Sequence, residues 1–267
     1  MRPLVVAALA LLTGCGSAVE RSLIYYPTRR LEATPGDYGL PFEDVRPTAE
    51  DGVRLHGWYV PGRRPVTVLW CHGNAGNISH RLENLRLLRE RLGVGTLLFD
   101  YRGYGASDGT PSEVGTYRDA RAFRAWLRAR TPGEPLVVYF GRSLGAAVAA
   151  QLAAEDPPAA LVLETPFTSV RAMANGTLPG AGYLFRTRYD TLGRVAEVRA
   201  PLLVLHGDAD EVVPFHHGRA VFEAAREPKR FVRIPGAHHN DTYLVGGAPY
   251  WEAWESLLAA HVPGWHP

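Results

Sequence analysis

Short apolar runs alternate with segments of helical period along most of this chain. Six apolar runs, at residues 66–71, 95–99, 136–140, 160–164, 202–206 and 230–234, have the length of buried strands. Between the first two, leucines at positions 82, 85, 88 and 92 lie on one face of a predicted helix over residues 81–92. Further helices are predicted over 113–130, from 144 to about 155, over 215–225 and over 250–261. Right-handed crossovers between such units build a mostly parallel sheet with helices on both faces.

Two more strands are predicted in front of these units, over residues 44–47 and 53–60. Glu50-Asp51-Gly52 between them is a hairpin signal, so this pair should be antiparallel. The pattern as a whole predicts an α/β domain with an eight-stranded sheet.

The first residues have the pattern of a targeting segment. The apolar run over 4–12 follows one positive charge and is too short to span a bilayer, but it suits the core of a signal peptide. Leu12-Thr13-Gly14-Cys15 then resembles the lipobox of bacterial lipoproteins, in which the cysteine is lipidated and becomes the mature N-terminus. We therefore expect a signal peptide over 1–14, a membrane-proximal lead-in over 15–42 and the domain over 43–267. A plain secretory signal and a retained anchor are the alternatives.

Composition adds few constraints to this picture. With 46% hydrophobic and 21% charged residues in 267, the chain can bury a sizeable core. The formal net charge is only +2 and the arginines are scattered among acidic residues, which argues against a nucleic-acid partner. Cys15 lies in the signal and Cys71 ends a predicted strand, so neither a disulfide nor a metal site is expected.

The central apolar run, over 136–140, leads directly into Gly141-Arg142-Ser143-Leu144-Gly145 and an alanine-rich helix. A strand that enters a helix this abruptly places Ser143 on a sharp, strained turn and exposes its hydroxyl at the edge of the sheet. The simpler alternative is a Gly-Ser turn that joins a strand to a helix and has no chemical role.

A serine hydroxyl needs a base to accept its proton, and the base needs a third group to orient it. Asp208 and Asp210 follow the strand over 202–206, and His238 and His239 follow the strand over 230–234. The carboxyl ends of these strands lie on the same edge of a parallel sheet as Ser143, in the chain order Ser, Asp, His.

With these motifs, the chain resembles an α/β-hydrolase of the small-lid branch that includes the depalmitoylase-like serine hydrolases. The resemblance extends over about residues 24–261. Its motifs are His-Gly-Asn-Ala-Gly-Asn at 72–77, Asp-Tyr-Arg-Gly-Tyr-Gly at 100–105, Gly-Arg-Ser-Leu-Gly at 141–145, His-Gly-Asp-Ala-Asp-Glu-Val-Val-Pro at 206–214 and Gly-Ala-His-His-Asn at 236–240.

This resemblance implies a role for each residue of the Ser, Asp, His set. Ser143 matches the nucleophile and Asp210 the acid, while its competitor Asp208 is expected to fix a loop. His239 matches the base because it directly precedes Asn240. The chain departs from the family pattern at the position before the base, where His238 replaces the usual glycine.

Negative charge on a tetrahedral intermediate requires two preorganised amide donors. The backbone of Leu144, the residue after the nucleophile, is expected to supply one of them. In proteins that this chain resembles, the backbone of Asn74 supplies the other, although His72-Gly73-Asn74 also serves as a tight turn between strand and helix. Tyr101 and Arg102 are expected to shape the neighbouring loop.

Residues 165–199 lie where related enzymes insert a lid, and about 30 residues make only a small cover. Phe167, Leu178, Leu184 and Phe185 are candidates for an acyl-binding wall, although apolar residues of a short lid can also simply pack it down.

The sequence thus predicts a membrane-tethered serine hydrolase that cleaves carboxylic esters or thioesters through an acyl-enzyme. We expect a monomer without a cofactor, located in the bacterial cell envelope, at the outer membrane if the source has two. A serine peptidase on the same fold and a catalytically silent envelope module are the alternatives.

If the lipobox is used, Cys15 will be the lipidated N-terminus of the mature protein. Several acyl chains on one residue anchor a protein stably, whereas a single chain binds only reversibly. Mass spectrometry of the mature protein should find the lipidated cysteine, and Cys15→Ser should move the protein from the membrane fraction to the soluble one. A mature N-terminus elsewhere, with an unmodified Cys15, would contradict the assignment.

Overall fold

The computed structural model describes residues 18–130 and 136–265. Within them, eight strands form one sheet in the order β10-β9-β8-β7-β4-β6-β3-β2, and a second sheet pairs only β1 with β5. The strands are β1 Tyr26–Pro27, β2 Glu43–Val45, β3 His56–Val60, β4 Thr67–Cys71, β5 Ala75–Gly76, β6 Gly95–Asp100, β7 Val137–Arg142, β8 Ala160–Glu164, β9 Leu202–Gly207 and β10 Lys229–Ile234.

The main sheet is parallel except at one end, where β2 pairs with β3 and β3 with β6 in antiparallel register. The eight-stranded, mostly parallel α/β sheet predicted from the sequence is confirmed, including its antiparallel front pair. The central strands β4, β6 and β7 are almost wholly buried, as expected for strands covered on both faces.

Helices cover both faces of this sheet. They are α1 over residues 18–24, α2 Leu82–Leu92, α3 Glu113–Arg130, α4 Leu144–Glu155, α5 Val170–Thr177, α6 Thr191–Val195, α7 Phe215–Ala224, α8 Thr242–Val245 and α9 Gly247–His261. Side chains of β4 alternate between two cores: Leu69 packs on one face with residues of α3 and α4, and Trp70 on the other with residues of α2 and α9. The five long predicted helices are present, whereas the short α5, α6 and α8 and the N-terminal α1 were not predicted.

The turn between β7 and α4 brings the start of this helix very close to β4. Gly145, in the first turn of α4, lies so close to β4 that a Cβ atom there would be 1.9 Å from the carbonyl oxygen of Cys71. A Cβ on Gly141 would be 2.3 Å from the carbonyl oxygen of Gly145. Glycine at both positions therefore lets α4 start directly over the end of β4.

The predicted lead-in packs closely against the sheet domain. Ile24 and Tyr25 are buried, and the Tyr25 hydroxyl lies 2.9 Å from that of Tyr189. Strand β1 then pairs in parallel with β5, immediately after the loop that contains Asn74. The division of the chain at residue 43 stays a prediction, but this part of the lead-in contributes to the core.

No helix within residues 18–130 and 136–265 combines the length and the apolar composition needed to cross a membrane. Cys15 and the signal peptide predicted over 1–14 lie outside the described residues.

Substituting Gly145 by alanine tests the close crossing. Because the added methyl group meets backbone, α4 must move, and we expect Gly145→Ala to lower the free energy of unfolding by about 1–3 kcal/mol. Gly176 of α5 is the matched control, since a Cβ there meets nothing within 4 Å and alanine favours a helix by up to about 1 kcal/mol. Urea unfolding of the full chain measures the free energy of unfolding of both variants. If the two substitutions change it equally, the crossing can accommodate the added methyl group and the steric argument is wrong.

Candidate active site

Ser143 occupies the turn between β7 and α4 in a backbone conformation that is rare for serine. Its φ is 53° and its ψ is −118°, so the residue lies at positive φ without being glycine. The surrounding structure maintains this strain: the Ser143 amide donates to the Glu164 carbonyl over 3.0 Å. The turn leaves Ser143 half-buried, and the residue lines two adjoining cavities.

Asp210 and His239 come together from the loops that follow β9 and β10. His239 Nδ1 lies 2.8 Å from Asp210 Oδ2, and both side chains are buried. Asp210 Oδ1 also accepts from the amides of Val212 and Val213. Burial by itself raises the pKa of Asp210, but the hydrogen bonds from His206 and His239 outweigh it and hold that pKa well below the usual range. Asp210 is therefore a fixed carboxylate that orients the His239 ring.

Ser143 and His239 line the same cleft, a cavity of about 520 Å³. Among the described residues, no hydrogen bond joins their side chains. Such contacts are often long in a free enzyme and shorten when substrate binds. The cleft is lined by Tyr26, Gly73, Asn74, Ala75, Gly76, His80, Arg81, Arg142, Ser143, Val212, His239 and Asn240.

Asp208, the competing carboxylate, is directed elsewhere. It forms an ion pair with Arg233 and accepts from the amide of Gly236 over 2.7 Å, and thus holds the turn after β10. Among the described contacts, none joins Asp208 to His239. This is the loop-fixing position expected from the sequence.

His238, the departure from the family pattern, is exposed and does not line the cleft. Its Nδ1 lies 3.1 Å from a carboxylate oxygen of Glu211, and the same oxygen accepts from the His239 amide over 3.2 Å. Glu211 thus contacts the side chain of His238 and the backbone amide of His239. Sequence reasoning missed this contact because it joins two loops that are 28 residues apart.

The loop that contains Asn74 is held on several sides. Asn74 Oδ1 accepts from the Tyr104 hydroxyl over 3.0 Å and from the Tyr26 amide over 3.4 Å. Below it, Tyr101 donates to the His72 carbonyl, and burial lowers the pKa of His72 to about 3, so this ring is neutral. Leu144, the first residue of α4, borders the apolar cavity together with Asn74, and its amide has no intrahelical acceptor.

An apolar cavity of about 310 Å³ adjoins the cleft and shares Asn74, Ser143 and Val212 with it. Its lining also includes Leu23, Ile24, Leu144, Phe167, Val170, Met173, Ala174, Thr177 and Phe185. Phe167 and Phe185 form part of this wall, as expected for two of the four lid candidates.

The other two lid candidates, Leu178 and Leu184, were predicted wrongly. They are 63% and 81% exposed, because they lie beyond α5 and in the short 3₁₀ turn Ala181–Leu184 that follows it. Helix α5 supplies the wall instead, through residues at positions 170, 173, 174 and 177. That spacing is the period of one helical face, so the sequence did contain a signal for this wall.

A buried polar network connects the serine turn to the histidine loop. Arg142 donates from Nη2 to the His239 carbonyl over 2.7 Å, and its Nε lies 3.7 Å from Glu164 Oε2. Thr242 in turn donates to the other oxygen of Glu164. Arg142 and Glu164 are both buried, so this pair fixes β7, β8 and the histidine loop relative to one another.

Among the described residues, no group of three or more histidine, cysteine or carboxylate side chains has the arrangement of a metal site. Cys71 is a buried free thiol, and burial raises its pKa.

The chain is similar in sequence to a known protein family and to proteins from other organisms. The family model for the alpha/beta hydrolase fold matches residues 66–192. Over 92% of its length the chain is 42% identical to uncharacterized protein Rv2307c of Mycobacterium tuberculosis, 91% of which is covered. Over 97% of its length it is 38% identical to the alpha/beta hydrolase domain-containing protein WAV2 of Arabidopsis thaliana, 92% of which is covered.

Solved structures share the fold at low sequence identity. An esterase of Pyrococcus furiosus superposes with a TM-score of 0.75 at 23% identity, over 89% of this chain and 98% of that one. XC6422 of Xanthomonas campestris, described as an α/β serine hydrolase without a lid, superposes with a TM-score of 0.65 at 23% identity, over 91% and 99% of the two chains.

Proposed function

We propose a function from the premise that this chain belongs to the α/β-hydrolase family, as its relatives and its fold show. The chain is a serine hydrolase that cleaves carboxylic esters or thioesters through an acyl-enzyme. One observation carries this proposal: the strained turn at Ser143 borders the same cleft as His239, whose Nδ1 contacts a buried carboxylate.

In the proposed reaction, His239 accepts the proton of the Ser143 hydroxyl through Nε2 while Oγ attacks the acyl carbon. Asp210 holds the ring in the tautomer that leaves Nε2 free and stabilises the imidazolium that forms. The backbone amides of Asn74 and Leu144 bind the oxyanion. His239 then donates the proton to the departing alcohol or thiol. Water then attacks the acyl carbon while His239 accepts a proton from it. His239 returns this proton to Ser143 Oγ as the ester bond to the enzyme breaks, which releases the acid and regenerates Ser143.

The two cavities suggest which part of the substrate binds in each of them. The leaving group must take its proton from His239, and His239 lines the cleft but not the apolar cavity. The acyl chain therefore enters the apolar cavity, between α5 and α1. At about 310 Å³, this cavity is at the lower end of the range for ligand pockets, which favours short to medium chains.

The structural neighbours support esters as substrates, because one is named an esterase and another a serine hydrolase without a lid. The short segment between β8 and β9 likewise forms only a small cover here. Thioesters belong to the proposal because the oxyanion site recognises the carbonyl and a thiolate leaves readily. The likeness to depalmitoylase-like hydrolases points the same way.

Tethering to a bacterial envelope membrane through lipidated Cys15 completes the proposal, with the outer membrane favoured where there are two. Its support is the lipobox-like Leu12-Thr13-Gly14-Cys15 after a short apolar run.

The assignment of the triad is tested with paired aspartate variants. We expect Ser143→Ala to abolish labelling by a fluorophosphonate probe, and Asp210→Asn to lower kcat by about 10³–10⁴, because the ring loses its orienting carboxylate. Asp208→Asn is the matched control and should cost only a few-fold, since its partners are Arg233 and Gly236. If Asp208→Asn is the more damaging change, the acid is misassigned. A protein that is neither labelled nor active would favour the silent envelope module.

A series of p-nitrophenyl esters tests the acyl side of the proposal. Each buried methylene contributes about 0.8 kcal/mol, or roughly fourfold in binding, so kcat/KM should rise over the first few carbons and then level off as the cavity fills. A matched p-nitroanilide should be turned over far more slowly. Amide turnover equal to that of the ester would favour the peptidase alternative. A continuous rise to very long chains would show that the lid segment opens to enlarge the cavity.

A further inference from the structure

Two arginine residues line the cleft but not the apolar cavity. Arg142 ends β7, and Arg81 ends the short 3₁₀ turn Ile78–Arg81 before α2. Both residues border the cleft together with Ser143 and His239, and neither borders the apolar cavity. The two halves of the site therefore differ sharply in charge.

Glu164 balances the charge of Arg142. Its carboxylate lies 3.7 Å from Arg142 Nε, and Arg142 Nη2 donates a hydrogen bond to the His239 carbonyl. Arg142 thus has a structural role that holds it in place at the edge of the cleft.

Arg81 has no such counter-ion. Its one side-chain hydrogen bond runs from Nη2 to the Ala75 carbonyl, and no carboxylate of the described residues forms an ion pair with it. Its Nε is buried without a hydrogen-bond partner. Burial lowers the pKa of Arg81 to about 10, and the neighbouring charge of Arg142 acts in the same direction. A cation held in this way is poorly solvated, so an anion that reaches it is strongly attracted.

The acidic groups near the cleft do not cancel this charge. Asp100 offsets part of the Arg81 charge, but its buried carboxylate accepts from the Ile78 amide, does not line the cleft and forms no ion pair with Arg81 among the described contacts. Asp210 is paired with His239, and Glu211 is paired with His238. Glu32 lies on the surface, 3.4 Å from His80. The cleft therefore keeps a surplus of positive charge at Arg81.

The chemistry of the proposed reaction decides which part of the substrate meets this charge. Because the leaving group is protonated by His239, the alcohol or thiol part of the substrate occupies the cleft, and Arg81 and Arg142 then lie beside that part. A phosphate or carboxylate suits this site, since a guanidinium binds oxyanions through paired hydrogen bonds.

We propose that Arg81, with Arg142 beside it, forms an anion subsite that selects esters or thioesters whose leaving group carries a phosphate or a carboxylate. This inference rests on the proposed function for its substrate orientation. The recognition of an oxyanion by the cleft itself does not depend on turnover.

Four butyryl esters with different leaving groups test the selectivity of the full-length protein in detergent. They are 1-butyrylglycerol 3-phosphate, 3-(butyryloxy)propanoate, the neutral 1-butyrylglycerol and the cationic butyrylcholine. We expect kcat/KM for the two anionic esters to exceed that for the neutral one by about tenfold or more at low ionic strength, with the cationic ester slowest. The advantage should shrink as salt is added from about 20 mM to about 500 mM, because the cleft is open to solvent. Equal or faster turnover of the neutral ester would overturn the inference.

Variants of Arg81 identify the source of the selectivity. Arg81→Gln should bring the ratio of anionic to neutral turnover close to one, and Arg81→Lys should keep part of it because the charge remains. Arg86→Gln is the matched control on α2, since Arg86 pairs with Glu90 and does not line the cleft. An Arg81→Gln protein that keeps the full ratio would overturn the assignment. Vesicles that contain phosphatidic acid, added as a competitor of 1-butyrylglycerol 3-phosphate, distinguish the two sources: inhibition by the vesicles indicates a lipid headgroup, and no inhibition indicates a soluble phosphate ester.

Binding of inorganic phosphate separates this inference from the proposed function. We expect phosphate to raise the Tm of the wild-type protein and of Arg86→Gln, but not that of Arg81→Gln, because only a ligand that binds the folded state stabilises it. If phosphate stabilises the wild type while no ester is hydrolysed, the anion subsite holds and the proposed function fails. If neutral esters are hydrolysed and phosphate has no effect, the proposed function holds and the anion subsite fails.

Discussion

The structure depends on one steric constraint, the absence of room for a Cβ atom where α4 crosses the end of β4. Gly141 and Gly145 permit that approach, and the backbone of Ser143 must then adopt a positive φ to join strand and helix. The same crossing places the first amide of α4 beside the serine. The position of the hydroxyl and the position of a candidate oxyanion donor thus follow from a single packing contact.

A second requirement is that the loop with His239 lie close enough to the Ser143 turn for both residues to border one cleft. The loop follows β10, at one end of the main sheet, whereas the serine follows β7, three strands away. Arg142, next to Ser143, spans the gap by binding the His239 carbonyl and pairing with the buried Glu164. Breaking a buried pair leaves an uncompensated charge, so this network resists rearrangement. Arg142 holds this loop through the backbone of His239, so the imidazole itself keeps its contact with Asp210.

Most of the sheet could be predicted because its signals are local. Apolar runs of strand length and glycine-rich turns identified all eight strands of the main sheet. The choice of Asp210 over Asp208 came from the family resemblance and stays a prediction. The remaining features depend on contacts between distant segments. The burial of Tyr25 against Tyr189, the contact of Glu211 with both histidines and the isolated charge of Arg81 have no counterpart in local pattern. Leu178 and Leu184 were misjudged because hydrophobicity alone does not show which way a short turn faces.

The origin of the apolar wall has a consequence for how such an enzyme can diversify. Residues of helices α1 and α5 line the apolar cavity. Both helices lie outside the main sheet and outside the crossing of α4 over β4. Substitutions on their inner faces therefore alter the shape of the proposed acyl site, while the strands and loops that hold the proposed triad stay as they are. Substrate range can thus change through two peripheral helices while the glycines of the tight crossing stay the same, although Ile24 of α1 belongs to the core as well as to the cavity wall.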